Sequence, residues 1–277
     1  MNDLFKALVY GKHVSLSVLD TTDLVNKAIK IHSLTPPSAV LLGNLLTCCA
    51  YMSGCLKSER GAVSITVKSR DGNGSASVSG DVSLHIRGYA EGSCRDSLKG
   101  GVLTVIKDDG FFRPFVGACE IECDDVSRIL TDYFLQSEQI PTAVSVGVKL
   151  NEDGSCAAAG GVVMQLMPGC PQEVSDRAKE RMQAFADPAE VIQKYGARGA
   201  VTRFFKDEID QNGLYLLHPD YICNCSRAKI EDVIRSVGRA ELLNICAEQG
   251  RVSVHCHYCN TDYTFDKDDI EKLFDNE

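Results

Sequence analysis

Alternating apolar and polar residues dominate the first half of the chain. In residues 14–18 (VSLSV) and 63–67 (VSITV) every second residue is apolar, the period of a strand that buries one face. Residues 142–150 and 157–166 are also strand-like, and NEDG at 151–154 between them has the composition of a hairpin turn. The pattern therefore predicts a sheet that includes at least one hairpin.

Residues 124–138 follow a helical period instead. Their apolar side chains recur at i, i+3, i+4, i+7 and i+8, and so share one face of an amphipathic helix: Val126, Ile129, Leu130, Tyr133 and Phe134. Mixed strands and helices in this order predict an α+β fold for the N-terminal part.

Residues 31–56 carry no formal charge and are the most apolar stretch of the chain. Pro36, Pro37 and Gly43 interrupt the stretch well before it reaches the length that a membrane-spanning helix needs. We therefore expect a core helix here, and no association with membrane.

The sequence becomes more polar near Pro168. Residues 171–186 and 188–195 have helical patterns with modest apolar content, and glycines at 196 and 199 interrupt the run. We predict three parts: an N-terminal α+β core domain at 1–170, a helical linker at 171–220 and a small C-terminal module at 221–277.

The C-terminal module has its own short elements. Two helical faces end near Gly238 and Gly250, and they comprise Ile230, Val233, Ile234 and Val237, then Leu242, Leu243, Cys246 and Ala247. Residues 252–254 and 263–265 are short strands, and Asp266 is placed to cap a last helix that runs to residue 274.

Charge and motif content exclude several functions. The formal net charge is −9, and no clustered basic stretch suggests nucleic acid or an anionic membrane surface as a partner. A Ser–His–Asp grouping, a phosphate loop and a specific carboxylate pair are all missing from the sequence, so we do not expect an enzyme.

Thirteen cysteines raise the question of compartment. The first ten residues have no apolar core of a secretory signal, and an odd number of scattered cysteines does not resemble the framework of a small secreted domain. We expect a cytoplasmic protein whose thiols are reduced.

Four of the cysteines form two tight pairs, Cys223-Asn-Cys225 and Cys256-His-Tyr-Cys259. Four thiolates are a complete tetrahedral ligand set for Zn²⁺, with no open position for substrate. Spacing alone leaves open whether such a site is purely structural or has a regulatory role. His255 and His257 flank Cys256, but with four thiols present we expect them to face solvent.

The order of these motifs resembles the 33-kilodalton heat shock protein family, the redox-regulated chaperones of the cytosol. The resemblance spans almost the whole chain. It is carried by YICNCS at 221–226, EQG at 248–250, CHYCN at 256–260, YTF at 263–265, YFLQSEQIPT at 133–142, GG at 160–161, QLMPG at 165–169 and RGY at 87–89.

The resemblance implies a specific mechanism. Zn²⁺ would be held by Cys223, Cys225, Cys256 and Cys259 in a reduced, inactive state. Oxidants would form the disulfides Cys223–Cys225 and Cys256–Cys259, release zinc and unfold module and linker. The exposed apolar surface would then bind unfolded client proteins without ATP, and the oxidised form would be a homodimer.

Elementary chemistry is compatible with this mechanism. A module as small as 221–277 is near the size at which one core is marginal, so zinc would supply much of its folding free energy. A CxC disulfide closes a small ring, is expected to be strained and should be reduced easily. Cys246 and the eight other cysteines outside the pairs are not needed for the switch, and Cys246 is expected in the module core.

Two other functions are compatible with parts of the sequence. A zinc ribbon that contacts nucleic acid is disfavoured by the acidic charge. A thiol–disulfide oxidoreductase is suggested by CxxC, but such enzymes place that pair at a strand-to-helix turn, whereas here it lies between two short strands.

Overall fold

The alternating segments form the strands of three sheets, with helices packed on them. The computed structural model describes residues 2–72, 74–92, 98–209 and 213–274, and contacts divide the chain into two units, Met1–Ile222 and Cys223–Glu277. The elements of the first unit are β1 (Asp3–Val9), β2 (Val14–Asp20), α1 (Thr22–His32), α2 (Pro36–Ser53), β3 (Ala62–Lys68), β4 (Gly74–Asp81), β5 (His85–Gly92), β6 (Val102–Asp108), β7 (Phe115–Glu120), α3 (Val126–Tyr133), β8 (Thr142–Leu150), β9 (Cys156–Leu166), α4 (Gln172–Met182), α5 (Pro188–Phe205), β10 (Tyr215–Leu217) and β11 (Asp220–Tyr221).

The strands of the first unit form two sheets. One has the order β10-β1-β2-β9-β8 and is antiparallel throughout. The other has the order β11-β5-β4-β3-β6-β7 and is antiparallel except for the parallel pair of β11 and β5. The α+β fold class predicted from the sequence is confirmed.

Helix α2 is the buried helix expected in the uncharged stretch. It begins with Pro36 and Pro37, where a missing N–H costs nothing, and it contacts strands of both sheets. Apolar residues occupy all sides because both sheets cover it, and Leu42, Leu45 and Leu46 have no exposed surface. Among the described residues, no helix combines the length and apolar character required to cross a membrane.

Helix α3 lies in the predicted helical segment but is shorter than expected. Asp125 caps it by accepting a hydrogen bond from the Ser127 backbone N–H at 2.9 Å. After Tyr133 the chain continues as one π-helical turn, Phe134–Glu138, which ends at Gln139 with a positive φ of 56°. The amphipathic face is nevertheless buried as the period predicts.

Helices α4 and α5 cover the five-stranded sheet on the face opposite α2. The buried residues of this segment include Ala178, Ile192, Val201 and Phe205 in the two helices, and Phe185 in the short 3₁₀ turn between them. They form one apolar cluster with sheet residues, among which are Phe5, Val9, Leu16, Val18, Val162 and Met164. The apolar side chains of α4 and α5 are therefore few, and they lie on the face that packs against the sheet.

The glycine break predicted in the linker occurs at Gly196, with φ 61° and ψ 172°. The helix is interrupted there, as the sequence predicts. The helix resumes and runs to Phe205, because Ala197, Ala200 and Val201 place a new apolar face on the sheet.

The second unit contains α6 (Arg227–Arg235), α7 (Arg239–Gln249), β12 (Val252–Cys256), β13 (Thr261–Phe265) and α8 (Lys267–Phe274). Its strands form a two-stranded antiparallel sheet. Asp266 caps α8 as predicted, since its side chain accepts a hydrogen bond from the Asp269 N–H at 2.9 Å. Gly250 adopts the left-handed conformation that ends α7.

The core of the second unit is small. Its buried members are Ile234, Leu242, Cys246, Val252, Phe265 and Ile270. Cys246 is buried as expected. The predicted apolar face of α6 is only half correct, because Val233 is 60% and Val237 50% exposed, while Ile234 is buried.

Candidate metal centre

The CxC half of the cysteine cluster immediately precedes α6. Ser226 caps this helix by accepting a hydrogen bond from the Lys229 N–H at 3.3 Å. The Lys229 ammonium group donates to the carbonyl oxygen of Asn224 at 2.7 Å, which fixes the residue between the two cysteines. Two nearly adjacent thiols are thus presented by a loop that the first turn of α6 orders.

The CxxC half forms the turn between β12 and β13. Cys256 ends β12, and its carbonyl oxygen accepts hydrogen bonds from the N–H groups of Cys259 at 3.3 Å and Asn260 at 2.8 Å. Asn260 has a φ of 56°, a left-handed conformation that asparagine tolerates well. The turn folds Cys259 back toward Cys256.

Arg227 connects the two halves. Its guanidinium lies 4.3 Å from the centre of the Phe265 ring, donates to the Thr264 carbonyl oxygen at 3.1 Å and pairs with Asp269 at 2.8 Å. The start of α6, two residues after Cys225, is therefore held against β13 and α8.

The four sulfur atoms converge. Each of Cys223, Cys225, Cys256 and Cys259 is partly buried, and their Sγ atoms all lie within 4.8 Å of one another. The Sγ atoms of Cys223 and Cys256 are 3.7 Å apart, and those of Cys225 and Cys259 are 3.2 Å apart. A tetrahedral zinc with Zn–S bonds of about 2.3 Å separates its sulfurs by about 3.8 Å. The cluster could therefore hold a metal ion, and four thiols suit zinc.

The surroundings shift the pKa values of these thiols in different directions. Burial raises the pKa of the Cys223 thiol well above its ordinary value. Burial also raises the pKa of Cys225, but hydrogen bonds from Tyr263 and from the neighbouring thiols outweigh it and bring the pKa to about 7. The hydrogen bond to Cys225 in turn raises the pKa of Tyr263 to about 12. The surroundings therefore lower the pKa of Cys225 and raise that of Cys223.

The histidines beside the cluster are exposed. The Nδ1 atom of His255 lies 2.7 Å from a carboxylate oxygen of Asp262, and the rings of His255 and His257 meet edge to face at 5.1 Å. Both face solvent, as the sequence analysis expected.

Cysteines outside the cluster have different surroundings. Cys48 and Cys49 are buried in α2, where burial raises the pKa of Cys48 far above its ordinary value and that of Cys49 to about 12. Such thiols stay protonated and unreactive. Cys55 is exposed, and Cys123 and Cys170 are partly buried.

Two hydroxyl groups at the cluster were missed in the sequence analysis. The Tyr263 hydroxyl lies 3.2 Å from the sulfur of Cys225, and the Thr261 hydroxyl lies 3.3 Å from that of Cys259. Both residues occur in β13 at alternate positions with Phe265, which is buried in the module core. The two-residue period of β13, which puts Thr261 and Tyr263 on the same face as Phe265, is the sequence signal that could have identified these hydroxyls.

Comparison with known proteins identifies the family. The family described as "Hsp33 protein" matches residues 2–266 of the chain. The chain belongs to the Hsp33 family. The resemblance found in the sequence is thereby confirmed.

Hsp33 relatives match along nearly their full length. A "33 kDa chaperonin" of Clostridium botulinum (strain 657 / Type Ba4) is 31% identical over 290 residues, which cover 99% of this chain and 97% of the relative. A "33 kDa chaperonin" of Bacillus cytotoxicus is 34% identical and covers 98% of both chains.

The Hsp33 fold is also similar to a solved structure. The crystal structure of the 33 kDa chaperonin of Thermotoga maritima superposes with a TM-score of 0.86 at 22% identity and covers 98% of this chain and 97% of that one. At this identity the likeness concerns the fold.

Proposed function

We propose that this protein is a redox-regulated, ATP-independent chaperone that holds unfolding proteins under oxidative stress. The observation that carries the proposal is the convergence of four thiols within 4.8 Å in a unit whose own core is small. The names of the relatives support the chaperone class, and the chemistry of the cluster supports the mode of control.

In the reduced state, Cys223, Cys225, Cys256 and Cys259 would hold Zn²⁺. Zinc would supply cross-links between the loop before α6 and the turn between β12 and β13. In small zinc modules such cross-links contribute on the order of 10–16 kcal/mol. A core of the size found here offers little to replace them, so the fold of the module would depend on the thiolates.

Oxidation would remove the ligands. We propose the disulfides Cys223–Cys225 and Cys256–Cys259, each within one half of the cluster. All four sulfurs lie within 4.8 Å of one another, so the two cysteines of each half can reach bonding distance by small side-chain movements. Each disulfide would then join the two cysteines of one half. No bond would remain between the CxC half and the CxxC half, so the two halves could separate.

The surface that clients would meet is covered by the linker. Helices α4 and α5 bury an apolar face of the five-stranded sheet that includes Phe5, Leu16 and Val18. An apolar face of this kind attracts unfolded chains without sequence preference. We propose that loss of order in the C-terminal module releases the linker at residues 171–220 from the core at 1–170, and thereby exposes the face.

The chain itself provides a link between the module and this surface. Strand β10 pairs with β1 of the five-stranded sheet, and β11 pairs with β5 of the other sheet. Ile222, which directly precedes Cys223, donates its N–H to the Ile86 carbonyl oxygen at 3.0 Å. Increased motion at Cys223 would act first on these two short strands, and through them on the end of the linker.

A light-scattering assay tests the proposal. A thermally unfolding client is mixed with full-length protein that is reduced and zinc-loaded, oxidised, or oxidised and then reduced again with zinc. We expect suppression of aggregation by the oxidised form alone, without ATP, and slow reversal after reduction. A Cys55→Ser variant, which lacks an exposed thiol outside the cluster, should behave like the parent. Equal activity of reduced and oxidised protein would refute redox control, and no activity in either form would refute the chaperone function.

Compartment and assembly follow from the same proposal. A thiol switch of this type needs a reducing environment at rest, so we place the protein in the cytoplasm. We also propose a homodimer for the oxidised form, which size-exclusion chromatography with light scattering would detect.

An oxidoreductase function receives little support. The CxxC pair lies in a turn between antiparallel strands, whereas redox enzymes with this motif place it at the start of a helix. An insulin-reduction assay would find turnover if this alternative were correct.

A further inference from the structure

Strand β13 carries two hydroxyl groups to the thiol cluster. Thr261 and Tyr263 are two positions apart and therefore share one face of the strand. Their oxygens lie 3.3 Å from the sulfur of Cys259 and 3.2 Å from that of Cys225, so each half of the cluster receives one contact.

The direction of these hydrogen bonds follows from the state of the sulfurs. A sulfur that binds a metal is a thiolate, which accepts but cannot donate. The hydroxyls must then be the donors. A hydrogen bond to a thiolate withdraws electron density from the sulfur and lowers its nucleophilicity towards an electrophilic oxidant.

Tyr263 is well fixed for this role. Its backbone pairs with Val254 of β12, and its ring packs against the small core of the module. Thr261 is held less firmly, because its side chain is exposed and its hydroxyl also lies 3.4 Å from the Cys259 carbonyl oxygen, a competing acceptor.

We propose that Tyr263, and to a smaller degree Thr261, are positioning residues that set how fast the thiolate cluster is oxidised. This inference rests on the proposed function, because it concerns the sensitivity of the same switch. The hydroxyls protect the reduced cluster from low peroxide concentrations. They thereby set the peroxide concentration at which the cluster is oxidised and the module unfolds.

The chemical step is the two-electron oxidation of a thiolate pair by a peroxide. A thiolate attacks one peroxide oxygen, the O–O bond breaks, and a sulfenic acid and hydroxide form. A second thiolate attacks the sulfenic sulfur and displaces another hydroxide, which gives a disulfide. The first attack depends on the nucleophilicity that the hydroxyls reduce.

The test compares shape-conserving variants of full-length, zinc-loaded protein. Tyr263→Phe removes the hydroxyl and keeps the ring, and Tyr215→Phe, at an exposed position of β10, is the matched control. Peroxide-driven zinc release is followed with a chromogenic chelator. We expect Tyr263→Phe to release zinc about three- to tenfold faster, the net effect of one ordinary hydrogen bond. The control should match the parent.

Thr261 provides a second, independent pair of variants. Thr261→Val removes the hydroxyl and keeps the branched shape that suits a strand, whereas Thr261→Ser keeps the hydroxyl. We expect about a two- to threefold faster release for the first, since its hydroxyl is shared between two acceptors, and a parent-like rate for the second. This pair decides the inference if Tyr263→Phe does not fold.

A further measurement distinguishes a faster reaction of the thiolates with peroxide from weaker zinc binding. Thiol loss under peroxide is measured by alkylation and mass spectrometry at low and high zinc excess, and the sulfur-to-cobalt charge-transfer band is recorded after Co²⁺ substitution. A faster rate that persists at high zinc, with a shifted band, supports the inference. Parent-like rates in the hydroxyl-free variants, or rates that return to the parent value at high zinc, overturn it. If the parent itself keeps zinc under peroxide, the proposed function fails instead.

Discussion

The two units of the chain are held together by different means. In the first unit, α2 is covered by strands of two sheets, and a second apolar cluster lies under α4 and α5. In the second unit, the core consists of a few side chains such as Leu242, Phe265 and Ile270, and four thiols lie beside it. One unit is stabilised by burial, while the other combines a small core with a cluster of four thiols.

The difference indicates where a chemical signal can act. A domain has a net stability of about 5–15 kcal/mol, which is comparable to the contribution of one structural zinc. If the four thiols hold zinc as proposed, loss of these ligands would remove a free energy comparable to the whole stability of the second unit. The first unit has no thiol cluster of this kind among its described residues, so under the proposed function it would stay folded after oxidation and could bind clients.

The largest effect is expected from loss of one proposed ligand. Cys256→Ser should lower zinc affinity strongly and unfold the C-terminal module, because three thiolates leave an open, hydrolysable site. Zinc content by mass spectrometry and amide exchange in α6 to α8 measure both effects. Cys55→Ser is the control, since this thiol is exposed and lies outside the cluster. Full zinc retention and unchanged exchange in Cys256→Ser would show that the module does not depend on the cluster.

A smaller effect is expected from loosening the linker alone. Phe205 is fully buried, and its ring stacks on Phe185 at 6.1 Å between centroids. Phe205→Ala should destabilise the packing of α5 by about 3–5 kcal/mol, raise amide exchange in α4 and α5, and give partial client binding in the reduced state. Thr202→Ala, at an exposed position of the same helix, should change little. If Phe205→Ala raises linker exchange without client binding, the covered sheet face is not the client surface.

The smallest effect concerns buried thiols of the first unit. The pKa of Cys49 is raised to about 12 by burial, whereas an unfolded cysteine ionises near pH 8.5. Above that pH the unfolded state loses a proton that the folded state keeps. The stability due to this thiol is therefore fully present below about pH 8.5 and declines by about 1.4 kcal/mol per pH unit as the pH rises towards 12.

Urea unfolding followed by circular dichroism between pH 8 and pH 10 measures this decline. A Cys49→Ala variant should show a shallower pH dependence than the parent. Parallel curves for the two proteins would mean that Cys49 ionises equally in the folded and unfolded states.

Much of the fold could be predicted from local sequence patterns. Strands β3 and β8 follow the two-residue period, because alternate residues along each of them are buried. Strands β10 and β11 could not be found in this way. They have only three and two residues, and their place is set by pairing with β1 and β5, which lie far away in the sequence.

The cysteines of the site could also be predicted from the sequence, whereas the contacts that the hydroxyl groups make with them could not. Spacing alone predicted that Cys223, Cys225, Cys256 and Cys259 form one group, because two tight pairs of thiols can supply a complete tetrahedral ligand set, and their sulfurs do converge. The hydroxyls of Thr261 and Tyr263 needed the three-dimensional structure, because strand residues of this type are common and only the turn at Asn260 brings these two towards the sulfurs.

The central claim is that oxidation of the thiol cluster unfolds the module and frees the linker while the core stays intact. Hydrogen exchange with mass spectrometry, on zinc-loaded protein before and after peroxide, tests it most directly. We expect protection to fall in α6 to α8 and in α4 and α5, and to persist in α2 and β3. Unchanged protection of the module and linker after full oxidation of the four cysteines would contradict the account.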